Sequence, residues 1–183
     1  MVTAQDALKR LIDGNSLYLS SAGYSGDISS SVRVDTGRNG QHPYAVVITC
    51  SDSRVIPEAI FTAGIGELFV IRVAGNVIGE HELGSIEYAV EHLDCKLIVV
   101  LGHTHCGAVG AAIKGVNDGH VASLTSEIRK AIGDEKYDLK ACILNAYAGV
   151  DKIAKCIKLG TDTRVIGAVY DVESGKVSFD NNL

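Results

Sequence analysis

The sequence predicts an α/β fold with a mostly parallel central sheet of four to five strands flanked by helices. Three observations predict it. Apolar runs rich in β-branched residues alternate with stretches of helical spacing, the pattern of strand–helix–strand units with right-handed crossovers. The runs are continuously apolar rather than alternating, so both faces of each strand are covered. Twenty glycines against two prolines suit tight strand-to-helix turns.

Taken in order, Thr3 caps a helix from about Ala4 to Asp13, with Leu8, Leu11 and Ile12 on one face. From Gly14 to Gln41 the composition turns to Ser, Gly and Asn, and hydrophobic periodicity fades. An arm of this length must lie on something: its own domain or a second subunit. After Pro43 the strands begin. Tyr44–Thr49, Glu67–Arg72, Lys96–Gly102 and Arg164–Tyr170 are the four principal ones, and a turn at Ser174-Gly175 returns a short fifth, Lys176–Phe179. Helical spacing marks Gly84–Leu93, Ala108–Lys114, Ser123–Ile132 and Leu139–Leu159.

The composition bounds the function. Seventeen basic against 22 acidic residues give a formal charge of −5, which excludes a nucleic-acid binder of the usual basic kind. No apolar run reaches the roughly 18 residues of a membrane span, and the first residues lack the pattern of a signal peptide. Five scattered cysteines do not form a disulfide framework, so a reducing cytoplasm is expected. A hydrophobic content of 46% supplies material for one sizeable core.

Three residues carry the chemistry. Cys50 ends the first strand, and His103 and Cys106 follow the third. In sheets of this kind sites form at the carboxyl ends of strands, so two strand ends can meet at one metal. Two thiolates and one imidazole are a zinc ligand set without its fourth protein ligand, which leaves room for water and points to a hydrolytic or hydrating enzyme. Cys50 taken alone reads equally as a buried apolar cysteine, and His103-x-x-Cys106 alone arises by chance; the conjunction at two strand ends is what argues for a metal. Cys95, Cys142 and Cys156 lie in or beside apolar patterns and read as core or spare thiols. Asp52, two residues from Cys50, can bind the metal itself or accept a hydrogen bond from bound hydroxide, and Arg54 can hold it in a bidentate pair.

Cys50-Ser51-Asp52-Ser53-Arg54-Val55 with Pro57-Glu58, and Gly102-His103-Thr104-His105-Cys106-Gly107-Ala108-Val109, resemble the two signatures of the β-class carbonic anhydrases. Leu68–Asn76 and Ile86–Val90 fit between them. The resemblance implies one Zn2+ per subunit, held by Cys50, His103 and Cys106. It implies reversible hydration of CO2 to bicarbonate by zinc-bound hydroxide, with Asp52 and Arg54 as the catalytic dyad. Gln41 matches the substrate-binding glutamine of the plant-like branch, which reaches a neighbouring subunit's site. Phe69 and Tyr88 match aromatic residues of the pocket, which Ala74 would complete as an apolar wall, and Gly107 offers a backbone amide to substrate. The implied assembly is a homodimer or higher homo-oligomer with exchanged N-terminal helical arms. Residues 1–40 would then serve dimerisation, and 41–183 would form the zinc-binding catalytic domain.

Some members of the family close their site by turning the aspartate onto zinc, and these carry a tryptophan three residues before the first cysteine. Here that position is Val47 and the chain has no tryptophan, which favours the open branch. Two departures stand out: Val73 follows Arg72 where the family usually has Asn, and His105 replaces a small residue. His105 and His42 are candidate proton shuttles or simply solvated side chains. Two other readings keep the zinc ligands: a hydrolase of carbonyl sulfide or carbon disulfide, and a zinc-binding protein without turnover.

Overall fold

Five strands form one sheet in a computed structural model that describes residues 2–20 and 26–179. They are β1 (Ala45–Thr49), β2 (Leu68–Arg72), β3 (Leu97–His103), β4 (Arg164–Tyr170) and β5 (Val177–Phe179), in the order β2-β1-β3-β4-β5. The first four run parallel, and β5 runs antiparallel to β4. All five form where the apolar runs place them.

Side-chain alternation sorts each strand between two cores. Ala45 and Val47 of β1, with Leu97, Val99 and Leu101 of β3, face α1 (Ala4–Leu19). Val46 and Ile48, with Ile98 and Val100, face α4 (Glu80–His92) and α7 (Asp138–Cys156). Because both faces are covered, every residue of β1 and β3 is buried, and no polar–apolar alternation survives in the sequence. A third cluster, from α5 (Gly107–Ile113), α6 (Val121–Ile132) and α7, closes around Cys50 and Cys106.

The Thr3 cap forms, its hydroxyl oxygen accepting the Asp6 N–H at 3.1 Å. Leu11 and Ala7 are fully buried; burial of a leucine of this kind contributes about 2 kcal/mol. The helix runs past its expected end at Asp13 to Leu19. Gly14 is there for packing rather than for a stop. A Cβ at this position would lie 1.9 Å from the Phe61 carbonyl oxygen. Next to it, buried Asn15 donates to the carbonyls of Ile60 (3.3 Å) and Gly175 (3.0 Å) and accepts the Val177 N–H (3.0 Å). These bonds tie α1 to its own domain.

The rest of the expected arm contains a second helix, α2 (Ser30–Asn39), capped by Ser29 and burying none of its residues. Residues 21–25 of the arm lie outside the described residues. A single turn, α3 (Pro57–Ile60), starts on proline and is too short for periodicity to announce. α4 begins four residues before the expected Gly84, where the Gly79 N–H donates to Glu82 Oε2 at 2.8 Å. Among the described residues no helix is long and apolar enough to cross a membrane.

Candidate metal centre

Parallel pairing builds the centre. β1 and β3 are neighbours with Thr49 opposite Leu101, so Cys50, just past β1, and His103, the last residue of β3, come together across 53 residues of sequence. The turn after β3 brings Cys106 back at the start of α5. One ligand atom from each of the three residues lies within 4.8 Å of the others, and all three residues are buried. The two sulfurs are 4.0 Å apart. That is far beyond a disulfide bond of about 2.05 Å. It is close to the ~3.8 Å between two sulfurs that each lie about 2.3 Å from one tetrahedral zinc.

His103 tests whether the residues fit an ion. Its Nδ1 lies 2.9 Å from the Thr104 carbonyl, which can only accept, so Nδ1 carries the hydrogen and Nε2 keeps its lone pair. Nε2 is buried with no hydrogen-bond partner among the described residues. An orphaned buried acceptor beside two thiols is what an ion would satisfy. The two thiols interact strongly. The Cys106 thiol donates to Cys50, and, against the cost of burial, His103 and the amides of Gly75 and Asp52 also hold the Cys50 sulfur low, at about 4. Cys106, as the donor and a buried group, is pushed up.

Asp52 and Arg54 form the expected bidentate pair. Arg54 Nε donates to Asp52 Oδ1 at 2.9 Å and Nη2 donates to Oδ2 at 2.8 Å. Arg54 holds the Asp52 carboxyl well below the usual carboxylate range, so it is ionised near neutral pH. Arg54 Nη2 also donates to the His105 carbonyl at 3.0 Å, joining the two signature segments. His105 has a left-handed backbone (φ +55°), and its N–H donates to Asp138 Oδ2 at 2.8 Å. Its ring is exposed and lies between Asp138 and Glu173. Arg72 grips the loop from β2, donating to the carbonyls of Cys50 (3.1 Å) and Asp52 (2.7 Å).

Gly107 is exposed at the first position of α5, and Ala74 is half-buried in the 3-10 turn Ala74–Asn76, whose Gly75 N–H donates to the Cys50 sulfur. The other expected pocket residues lie elsewhere. Gln41 precedes β1, whose span from Ala45 to Cys50 alone covers about 16 Å at ~3.3 Å per residue. Phe69 stands opposite Val46, also toward the amino ends of the strands, and packs on Tyr88 with ring centroids 6.3 Å apart. One chain therefore assembles Cys50, Asp52, Arg54, Ala74, His103, Cys106 and Gly107, with Gln41, Phe69 and Tyr88 toward the far end of the sheet.

The remaining thiols are not ligands. Cys95 donates to the Pro43 carbonyl at 3.3 Å, and burial pushes its thiol up to about 11. Cys142 packs behind the centre, pushed up to about 12 by burial, and Cys156 is exposed. Sequence reasoning assigned no role to Arg72 or Gly75, although both lie in a segment it singled out. It passed over Asn145, whose one signal is a polar residue on an apolar helix face.

A mostly parallel α/β sheet with a Cys-His-Cys group that could hold a metal ion at adjacent strand ends defines the class of protein. A family model described as carbonic anhydrase matches residues 45–177. Carbonic anhydrase 2 of Mycobacterium tuberculosis is 51% identical over 114 residues, covering 62% of this chain and 54% of that protein. The match thus spans about half the length of that relative. The carbonic anhydrase of Mycolicibacterium smegmatis is 47% identical over 195 aligned positions, covering 97% of this chain and 93% of that protein. The solved β-carbonic anhydrase of Coccomyxa, in complex with acetazolamide, superposes with a TM-score of 0.70 at 27% identity, over 82% of this chain and 78% of that one. The chain belongs to the carbonic anhydrase family, in its β class.

Proposed function

We propose that this protein catalyses the reversible hydration of CO2 to bicarbonate and a proton, with one Zn2+ per subunit held by Cys50, His103 Nε2 and Cys106. The observation that carries the reading is the convergence of those three ligand atoms within 4.8 Å beside an aspartate already locked in an ion pair. Zinc supplies, when bound, a Lewis acid that makes water a competent nucleophile near neutral pH.

The chain's own residues do the rest. Ionised Asp52 can only accept, so it takes the hydrogen bond of the attacking oxygen and turns a lone pair toward carbon. Arg54 occupies both carboxylate oxygens and keeps Asp52 from collapsing onto the ion, which supports an open site, as do Val47 and the absence of tryptophan. The Gly107 N–H, at the first position of α5, has no intrahelical acceptor and donates to the substrate oxygen that gains charge. Phe69, Ala74 and Tyr88 give apolar surface for a linear nonpolar molecule, and Gln41 gives an amide.

Gln41, Phe69 and Tyr88 act on the neighbouring subunit's centre, since their own lies at the far end of the sheet. The open β2 edge and α2, none of whose residues is fully buried, support a homodimer in which residues 1–40 contribute to dimerisation and 41–183 form the catalytic domain. Five unbridged cysteines support a reducing, cytoplasmic setting. Stopped-flow CO2 hydration on zinc-loaded protein near pH 8.5 tests the reading. Rapid turnover that vanishes in Cys50→Ser is expected. A zinc-loaded protein idle on CO2 but active on carbon disulfide would overturn it.

A further inference from the structure

Besides its contact with Cys106, the Cys50 sulfur is held by the protein backbone. The Gly75 N–H donates to it at 3.2 Å and the Asp52 N–H at 3.4 Å. Gly75 sits in a tight turn closed by the Asn76 N–H on the Val73 carbonyl at 2.8 Å. It has φ +68°, and a Cβ there would lie 2.7 Å from Ile128 Cδ1 and 3.0 Å from Ala108 Cβ. Only glycine fits this backbone and this space. The turn therefore needs an outside anchor to fix its direction, because glycine resists rotation less than any other residue.

The anchor is on α7. Asn145, 7% exposed, donates its Nδ2 to the Gly75 carbonyl at 2.8 Å. Four residues on, Gly149 brings α7 close against β3: a Cβ there would stand 3.0 Å from Val100 Cγ1. Asn145 lies on the same face one turn earlier, so this close approach delivers its amide to the turn. Asn145 holds the carbonyl, and Val73 the N–H, of the peptide unit that follows Gly75, while the preceding unit carries the N–H that faces Cys50; the helix therefore sets that donor through the turn as a whole.

We propose that Asn145 is a positioning residue for the metal-binding sulfur of Cys50, acting through the Val73–Asn76 turn whose Gly75 N–H faces that sulfur. The inference rests on the metal assignment above and adds to it a residue, 95 positions from Cys50, that touches neither metal nor substrate. Outer partners of metal ligands fix ligand orientation and donor strength, and their loss typically weakens metal binding about 10- to 100-fold.

Asn145→Leu keeps the volume and removes the donor; Asn145→Asp keeps the shape and sets a carboxylate against the Gly75 carbonyl. Zinc affinity is measured by chelator competition on the full chain, and the thiolate-to-metal charge-transfer band is recorded on the cobalt(II)-substituted protein. Both variants are expected to bind zinc at least about 10-fold more weakly, with the cobalt band moved to lower energy as the sulfur loses its hydrogen bond. Ile153→Val, fully buried on the same helix but in another cluster, serves as the control for general destabilisation and should leave both readouts unchanged. Parental affinity and band position in either folded variant would overturn the proposal, as would an equal shift in Ile153→Val. A parent without any thiolate band would instead remove the zinc assignment, and this inference with it.

Discussion

The two ends of the sheet are built differently. At the carboxyl end, Cys50, His103 and Cys106 are buried, Arg54 pairs with Asp52, Arg72 holds the Cys50 and Asp52 carbonyls, and the Gly75 N–H donates to Cys50, all within one chain. At the amino end and the β2 edge, Gln41 and Tyr88 are exposed, β2 has no outer strand neighbour among the described residues, and no residue of α2 is fully buried. The contrast teaches that the candidate metal ligands converge within one chain, while Gln41, Phe69 and Tyr88 lie at the other end of the sheet, as the proposed dimer requires. Substitutions at the first end should act on metal and chemistry in every subunit. Those at the second should act on assembly and substrate.

Each half can be broken separately. Cys50→Ser or His103→Ala should lower both bound zinc, by elemental analysis, and CO2 hydration by at least about 10³-fold, because the nucleophile depends on the ion. Retained activity without metal would erase the distinction. Arg54→Leu frees Asp52 and should cost about 10²-fold in kcat with zinc content unchanged. Arg54→Lys should recover only part, since an ammonium cannot grip both carboxylate oxygens. At the other end, Gln41→Ala should lower kcat/KM about 10-fold without touching zinc, the scale of one lost hydrogen-bond donor worth ~1.4 kcal/mol. Mixing Gln41→Ala subunits with Cys50→Ser subunits should restore some activity if the glutamine acts across the dimer; no rescue would place it within its own chain.

Smaller effects test the boundary between the regions. Gly14→Ala forces a Cβ against the Phe61 carbonyl and should cost about 1–3 kcal/mol by thermal or urea unfolding, while leaving zinc affinity alone. A silent substitution would mean that α1 leaves its own domain. The smallest effect is electrostatic. Arg54 beside Asp52, Lys140 beside Glu135, and the amides of Ser174 and Glu173 beside Asp171 all hold these carboxyls below their ordinary values, Glu135 at about 2. Their stabilisation is complete above unfolded-state values of about 4 and is lost as pH falls through the folded ones. The melting temperature should therefore hold from about pH 8 to 5 and drop below ~4.5, slightly less steeply in Glu135→Gln.

The strands and the metal end were legible because their signals are local. Buried parallel strands read as unbroken β-branched runs, and ligands at strand ends need only correct strand placement. The limits of α1 were not, because Gly14 and Asn15 resemble a helix stop until Phe61 and β5 are packed against them. α2 was missed because it has no apolar face to give a period. Asn145 was invisible for a related reason: its meaning lies in the turn it reaches, 70 residues away.

The adjacency of β1 and β3 has a kinetic consequence. The ligands belong to strands joined by a long crossover, so no short segment can hold the ion before the two pair in parallel, a slow, non-local step. Metal capture is then a late event that certifies a finished sheet. Under the proposed zinc reading, the ion would also be a removable cross-link on the native state, favoured by free zinc through mass action. On that reading, a chain starved of metal would lose this support and be the first in the population to open and be cleared.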